Sequence, residues 1–233
     1  MKNDAGGFFL KEYGSWSVLV IAWMIGVGVS RNFSWTVLPL LLALGLLINS
    51  KQAIMKWLRA TFDIKPLIVF SLHLLFATAI LVVLFKNDIT MLLPLLVFPA
   101  AFLVSSKLAG EHALLTEVLG FILLSLAAVL AKYLLTNGLD VRLFLGVAFY
   151  FTAGVFKIKV MLLRKMKDRI LIVMHALLAV CVFRRMYIPL IILLPLIDNL
   201  FVAIYPYEVR LKTTGWIEVA KSLVVLGLFV SCY

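Results

Sequence analysis

Long apolar runs alternate with short polar breaks along the whole chain. The breaks separate nine apolar runs, each predicted to be a helix, over residues 15–30, 35–50, 66–85, 90–106, 113–135, 142–160, 170–184, 186–204 and 215–231. The runs are continuous and lack the alternation of apolar and polar residues that strands of a membrane barrel show. Several are shorter than the ~20 residues of a bilayer span. Only "FRRMY" separates the seventh run from the eighth, so the helix count is least well defined there.

The amino-acid composition, together with this pattern, predicts the fold class. Hydrophobic residues make up 64% of the 233 positions and charged residues 14%, which is too apolar for a water-soluble domain. The sequence therefore predicts an integral membrane protein, all-α, with about nine transmembrane helices in a single domain, 1–233. We expect no removable signal peptide, because no basic region and cleavage site precede the first run. Cys181 and Cys232 are isolated and indicate neither a disulfide nor a metal cage.

The basic residues predict which helix ends face the cytoplasm. If the N-terminus is cytoplasmic and all nine runs span the membrane, sixteen of the 22 lysines and arginines lie on the cytoplasmic side. The other side has six lysines and arginines. An excess of basic residues on the cytoplasmic side is what the positive-inside rule expects. Anionic membrane lipid attracts such a face, so the net charge of +11 does not require a nucleic acid partner.

The two heaviest basic clusters follow the second and sixth runs, four helices apart, which hints at an internal duplication. Each continues a polar stripe on one helical face: Asn49, Gln52, Lys56 and Arg59 in the first, and Tyr150, Gly154, Lys157 and Arg164 in the second. With Lys159, these stripes predict a substrate-binding cavity open to the cytoplasmic half of the bilayer. The alternative is that the long side chains only reach lipid headgroups at helix ends.

Acidic side chains and histidines are few enough to consider singly. Glu111, His112 and Glu117 open the fifth run and are candidate substrate-binding residues. His112 and Glu117 are five positions apart, about 140° around a helix, so they do not form an i, i+4 metal pair. Glu218 and Lys221 are three positions apart in the ninth run and could pair with each other.

Two histidines lie inside apolar runs. For His73 and His175 we expect a neutral imidazole that is hydrogen-bonded to a neighbouring helix. His175 is also a candidate substrate-binding residue, because its helix begins beside the second basic cluster.

The stretch "KEYGSW", residues 11–16, stands at the start of the first run. Charged Lys11 and Glu12 suit a cytoplasmic interface, and Tyr13 and Trp16 suit the aromatic belt of a membrane. An anchor for the first helix is the simple interpretation. Glu12 and Trp16 are also candidate site residues, because an acid on a strongly basic face could orient a lysine.

Five segments together resemble, in order, the YwiC-like family of bacterial membrane proteins: "KEYGSW", "GEHALLTEVLGF", "FYFTAGVFKIKVMLLRK", "MHALL" and "RLKTTGWIEVAKS". The resemblance covers nearly the whole chain and implies a plasma (inner) membrane protein of a prokaryote. It rests most on a Lys-Glu-His-Gly-(Ala/Ser)-Trp motif, in which Tyr13 here replaces the histidine. The family name supplies an architecture more than a chemistry.

A more distant resemblance is to the UbiA superfamily of intramembrane prenyltransferases, which have nine helices and polar motifs after helices two and six. It implies a UbiA-like bundle and, in the family, Asp-rich motifs that hold Mg²⁺ and an isoprenoid diphosphate. Neither motif is present here: "NSKQAIMKW" keeps Asn49 at most, and Asp168 is the only acid in "FKIKVMLLRKMKD". We therefore expect no metal or other cofactor, and direct binding of phosphate or carboxylate by lysine and arginine.

Two functions follow as hypotheses. The first is a UbiA-like protein that binds an isoprenoid or other amphipathic anion and transfers a group to or from it. The second is a non-enzymatic lipid-binding or membrane assembly factor. A small transporter is less favoured by the sequence, because no helix interior shows the paired acids or the segments broken by Gly or Pro at mid-membrane that coupling usually needs.

Overall fold

A computed structural model describes residues 13–59, 64–205 and 211–233. Within these ranges the chain forms helices and no strand, which confirms the predicted all-α class. The α-helices are α1 (Tyr13–Ser30), α2 (Val37–Arg59), α3 (Ile64–Leu84), α4 (Ile89–Leu92), α5 (Val97–Ala109), α6 (Leu114–Thr136), α7 (Val141–Leu163), α8 (Met166–Arg185), α9 (Ile197–Ile204) and α10 (Leu211–Cys232). Two 3₁₀ helices, Leu93–Leu96 and Leu190–Leu196, lead directly into α5 and α9.

These helices form nine segments in the described part of the chain, one for each predicted apolar run. The segments 89–109 and 190–204 each contain an interruption, and the runs 170–184 and 186–204 are separate elements. Six helices are long and apolar enough to cross a membrane, namely α1, α2, α3, α6, α7 and α10. The structure is therefore compatible with an integral membrane protein, and six spans are supported by helix length and composition.

The surface of α3 is apolar over most of its length. Only 6% of its 18-residue membrane-length window is buried inside the protein. Its exposed side chains include Leu72, Leu75, Phe76 and Val83, which are between 48% and 72% exposed. In water such a patch would promote association with other apolar surfaces, whereas lipid tails are as apolar as leucine.

Helix α1 packs between α6 and α10. A Cβ added to Gly26 would overlap the backbone carbonyl of Ala128 in α6, and one added to Gly28 would overlap the side chain of Val230 in α10. Both contacts depend on the missing side chain of glycine, because small residues let the backbones of neighbouring helices approach closely.

Both interrupted segments contain the sequence "LLPL", at residues 92–95 and 193–196. Pro94 and Pro195 lie inside the two 3₁₀ helices, and proline has no backbone N–H to continue an α-helical ladder. The interruption therefore has the same local cause in both places. The two copies are 101 positions apart.

Other residues and the order of the helices repeat with nearly the same spacing. His73 and Ala77 of α3 correspond to His175 and Ala179 of α8, 102 positions later, and both alanines are buried. The elements α2, α3, 89–109 and α6 thus recur in the same order as α7, α8, 190–204 and α10. The hint of duplication from the two basic loops gains support from the order of the helices and these matched residues.

Each repeated histidine is hydrogen-bonded to the helix before its own, as the sequence predicted. His73 Nδ1 lies 2.7 Å from the Val69 carbonyl, so Nδ1 donates, and Nε2 accepts from Asn49 Nδ2 at 2.9 Å. In the second half, His175 Nε2 lies 3.0 Å from Thr152 Oγ1.

Candidate functional site

The most deeply buried charged side chain in the described residues is Lys157 of α7, which is 1% exposed. Its Nζ lies 2.5 Å from Asp198 Oδ2 and 2.6 Å from Glu218 Oε1. Lys221 Nζ lies 3.1 Å and 2.9 Å from the same two oxygens. The two ammonium nitrogens and two carboxylate oxygens therefore alternate around a four-membered ring. We refer to Lys157, Asp198, Glu218 and Lys221 as the charged ring.

Three segments bring the charged ring together near one end of the bundle. Lys157 is six residues before the end of α7, Asp198 is six residues before the end of α9, and Glu218 is seven residues after the start of α10. At 1.5 Å per residue each lies about 10 Å from that end, which the distribution of basic residues predicts to be cytoplasmic.

The interruption of segment 190–204 determines the position of Asp198. The 3₁₀ helix ends at Leu196 and α9 begins at Ile197, so Asp198 occupies the first turn of a new α-helix. The 3₁₀ helix supplies a partner to this turn, since the Ile197 N–H donates to the Leu194 carbonyl. The charge of Asp198 is held instead by the ammonium groups of Lys157 and Lys221.

Asn199, next to Asp198, extends the charged ring on one side. Its Oδ1 accepts a hydrogen bond from Lys221 Nζ at 3.1 Å, while its buried Nδ2 has no partner among the described residues. Asn199 is 3% exposed. A buried amide donor without an acceptor is costly, so an acceptor brought by a ligand or a water would be stabilised here.

A small cavity adjoins Asn199 between α7, α8 and α9. Its volume is about 10 Å³, which is room for about one water molecule. His175 and Asn199 are the polar residues that line it, beside apolar side chains such as Phe156 and Leu196.

The charged ring is balanced internally, with two positive and two negative groups. In an apolar surrounding such charges persist because they are paired, and loss of one partner leaves an uncompensated buried charge. Ser222 of α10 lies beside the ring, where its Oγ donates to the Glu218 carbonyl at 2.7 Å and lies 3.3 Å from the hydroxyl of Tyr150. Polar contacts thus continue from the ring toward the middle of α7.

The first half of the chain contains no equivalent ring. Aligning Asn49 with Thr152, the two histidine partners, puts Ile54 at the position of Lys157. The spacing of 101 puts Val97 at the position of Asp198 and Gly120 at that of Lys221, and only Glu218 has a matching acid, Glu117. The same helical order forms without these ions, so the fold alone does not account for the charged ring.

Glu117 and Lys159, both predicted site residues, form a separate ion pair. Lys159 Nζ lies 3.0 Å from Glu117 Oε2 and donates to the His112 carbonyl at 2.8 Å. The His112 side chain is 91% exposed, and its Nδ1 is 3.9 Å from Glu117 Oε1. This contact joins the end of α7 to the start of α6.

The remaining predicted residues do not gather around one cavity in the described part of the chain. Asn49 bonds His73, Tyr150 is buried near Ser222, and Trp16 lies against Gly45 of α2. The others are dispersed: Gln52 and Lys56 lie in α2, Glu111 precedes α6, and Arg164 is the exposed C-cap of α7. Glu12 lies outside the described residues, and nothing is described of the Arg59 side chain.

Two cavities are described in this part of the chain, and neither is the expected cavity between the two basic loops. One of these is the small cavity beside Asn199, and the other lies at the opposite end of α7, lined by Asp140, Arg142 and Tyr233 among others. Members of the second polar stripe also differ in environment, because Lys157 is enclosed by carboxylates whereas Arg164 is exposed.

Sequence reasoning missed Asp198 and Asn199, and identified Glu218 and Lys221 only as a local pair. The expectation that no segment is broken by Gly or Pro is wrong, because Pro195 interrupts segment 190–204. Asp198 and Glu218, on different segments, share two lysines about 10 Å from the helix ends. A usable signal was present in "LIILLPLIDNLFVAI", where two polar residues follow the proline within an apolar run.

A second polar group lies at the other end of the bundle. Asp140 accepts from Lys132 Nζ at 2.5 Å, from the Leu143 N–H at 3.0 Å and from the Tyr233 hydroxyl at 2.8 Å. Burial by itself raises the pKa of Asp140, but these hydrogen bonds and the Lys132 charge hold that pKa below its ordinary value. Burial and the bond to Asp140 raise the pKa of Tyr233. This group joins α6, α7 and the end of α10.

No protein-family model, curated protein or solved structure matches this chain. The resemblances to the YwiC-like family and the UbiA superfamily are therefore expectations from sequence motifs alone. What the protein does has to be argued from the charged ring and its surroundings.

Proposed function

We propose that the protein is a nine-span, YwiC-like membrane protein with a UbiA-like bundle and a cytoplasmic N-terminus. In this proposal it binds the anionic group of an isoprenoid or other amphipathic ligand at the charged ring, in the cytoplasmic half of the bilayer. Recognition is by ammonium and amide groups directly, without a metal ion. The group transfer that the UbiA resemblance implies is the enzymatic form of this proposal, and recognition alone is the form for a lipid-binding or assembly factor.

The observation that supports the proposal most directly is the position of Lys157. An ionised lysine that is 1% exposed within an apolar helix is costly, and such residues in membrane helices commonly mark binding sites or ion pathways. The first half of the chain has isoleucine at this position and keeps the same helical order. The cost is therefore not imposed by the fold, which favours a functional explanation.

The surroundings of the ring suit the anionic group of a lipid. Lys221 Nζ and the unpaired Asn199 Nδ2 are neighbouring donors, and both match the oxygens of a phosphate or carboxylate. Asp198 and Glu218 are 34% and 24% exposed, so the ring is open on one side. The exposed apolar faces of α8 and α9, including Leu177 and Phe201, could contact a hydrocarbon tail.

Native mass spectrometry of the purified protein tests the proposal by identifying lipids that remain bound. Farnesyl monophosphate and farnesol, which differ in the anionic group, are then compared as added ligands, and we expect retention of the phosphate only. Removal of one cation from a desolvated site costs about 2–5 kcal/mol of affinity. Lys221→Gln should therefore weaken binding at least tenfold, whereas Lys165→Gln and Lys167→Gln, at exposed lysines, should not.

Equal retention of farnesol and farnesyl monophosphate would contradict recognition of the anionic group. Equal affinity of Lys221→Gln and Lys165→Gln would show that the charged ring is not the site. Each sample is measured with and without EDTA, which removes calcium and magnesium, and loss of binding on this treatment would contradict metal-free recognition.

A small transporter is the second candidate function, and one observation favours it. Segment 190–204 is interrupted at Pro195 and presents Asp198 in the first turn of the helix that follows, beside the lysines of two other helices. Half-helices of this kind commonly form substrate sites in transporters. Movement of the identified ligand across proteoliposomes, abolished in Lys221→Gln, would favour transport over binding alone.

A further inference from the structure

We infer that binding of the anionic ligand at the charged ring is coupled to the uptake of one proton by Glu218. The inference rests on the proposed function, because it concerns the same site, and it adds a regulation of that site by pH. It follows from the number of charges in the ring and from how they are paired.

The charges of the ring are already matched before a ligand arrives. Each ammonium nitrogen contacts both carboxylate oxygens, at distances between 2.5 Å and 3.1 Å. A ligand anion would therefore compete with Asp198 and Glu218 for the same two lysines. It would also leave an excess negative charge beside the buried Lys157, which is unfavourable in a site that is only partly open to water.

Protonation of one carboxylate removes both obstacles. A neutral carboxyl no longer forms an ion pair with Lys157 and Lys221, so both can bind the ligand anion. The ring together with the ligand then again has two positive and two negative groups. The proton comes from water at the open side of the ring and forms an O–H bond on the carboxylate. No other bond is made or broken, and release of the ligand returns the proton to water.

Glu218 is the better of the two acids for this role. Asp198 is 34% exposed and Glu218 is 24% exposed, so water stabilises the charge of Asp198 more than that of Glu218. Lys221 and Lys157 are the charged groups that face Glu218, and Asp198 faces it across the ring from α9.

Two further groups complete its surroundings. Tyr150 of α7 reaches Ser222, which donates to the Glu218 carbonyl, and His175 of α8 lies beyond Asn199 at the small cavity. Neither imidazole nor phenol contacts the Glu218 carboxylate directly. The acid that responds to the ligand is therefore Glu218 itself and not a neighbour on another helix.

Hexadecanesulfonate, used below its micellar concentration with the full chain in lipid nanodiscs, is a suitable probe because its charge is constant from pH 5 to 9. Calorimetry in two buffers of different ionisation enthalpy should show uptake of one proton per ligand. The dissociation constant should rise about tenfold per pH unit where Glu218 is ionised in the free protein. In Glu218→Gln both effects should disappear and binding at high pH should tighten, whereas Asp88→Asn, at a distant loop acid, should retain them.

The outcomes separate this inference from the proposed function. Absence of sulfonate binding at any pH would overturn the proposed function and the inference with it. Binding without proton uptake in the unmodified protein would overturn the inference and leave the site intact, and that measurement needs no variant. Proton uptake that persists in folded Glu218→Gln but disappears in Asp198→Asn would overturn the assignment to Glu218.

Discussion

Replacing Lys157 by methionine tests how the charged ring affects stability. Methionine keeps an unbranched side chain of similar length, so the change removes the ammonium group with little loss of packing. Asp198 and Glu218 are then left with Lys221 as their one partner in the ring. Removing one partner of a fully buried ion pair costs about 3–5 kcal/mol. Because Asp198 and Glu218 are 34% and 24% exposed, water screens the charges left behind, and we expect a loss in the lower part of that range.

Lys159→Met is the matched control on the same helix. Lys159 is 17% exposed, whereas Lys157 is 1% exposed, so water screens this ammonium group more than the one in the ring. The acids are similarly exposed, at 28% for Glu117 and 34% and 24% for Asp198 and Glu218. Pairs near the surface contribute about 0–1 kcal/mol. The two lysines are two positions apart in α7, and the expected difference between their variants is therefore about 2–5 kcal/mol by these same ranges.

A compensated variant separates charge from packing. In Lys157→Met/Asp198→Asn one positive and one negative group are removed together, and Lys221 remains paired with Glu218. Because replacing a buried ion pair by neutral groups of similar volume is often nearly neutral, we expect the double variant to recover most of the stability lost in Lys157→Met.

The free energy of unfolding can be measured in bicelles by steric trapping, at fixed pH and lipid composition. A loss in Lys157→Met no larger than that in Lys159→Met would refute the reasoning that the ring is desolvated and internally matched. A double variant less stable than Lys157→Met alone would show that packing, and not charge balance, dominates.

Three further predictions follow from other parts of the structure. Gly26→Ala should destabilise the protein by about 2 kcal/mol or more in chemical unfolding, because the new Cβ would overlap the Ala128 backbone. Gly154→Ala in α7 is the control: its Cβ would enter open space, so the change should be neutral or should stabilise the protein by ~0.5–1 kcal/mol. Because the pKa of Asp140 is lower in the folded state than its ordinary value of 3.8, the ionised carboxylate stabilises the folded state at pH values above 3.8, and this stabilisation is lost as the pH falls through the lowered pKa. The difference in the free energy of unfolding between the unmodified protein and Asp140→Asn should therefore shrink on acidification, and a constant difference would contradict this. A reporter fused after Tyr233 should be active outside the cytoplasm, because nine spans put the two ends of the sequence on opposite sides, and cytoplasmic activity would exclude this topology.

The helices were predictable from sequence because each apolar run is long and bounded by polar residues. Even the weak break at "FRRMY" corresponds to the end of α8, and both internal histidines bond a neighbouring helix as expected. These features depend on local sequence and on the general need to satisfy buried polar groups. The interruptions at Pro94 and Pro195 were also visible in the sequence, but they lie within runs whose hydrophobicity conceals them.

The charged ring was not predictable in the same way. Lys157 was expected to bind an external anion because it follows an apolar stretch, and its partner Asp198 is 41 positions later in the chain. Which acids meet which lysines depends on how α7, α9 and α10 pack, and sequence spacing does not determine that. Glu218 and Lys221 are three positions apart on one helix and pair with each other, so their spacing offered no reason to look for their contacts with Lys157 and Asp198.

The position of α1 has a consequence for how the protein is made. Its flat face at Gly26 meets Ala128, and its Gly28 meets Val230, so its partners are synthesised about 100 and 200 residues after it. Until α6 and α10 are synthesised, the α1 positions Gly26 and Gly28 lack these partners, although Trp16 of α1 already meets Gly45 of α2. Small-residue surfaces on other nascent chains can pair with positions of this kind. Slow translation of residues 60–230 should therefore favour capture of α1 by a wrong neighbour.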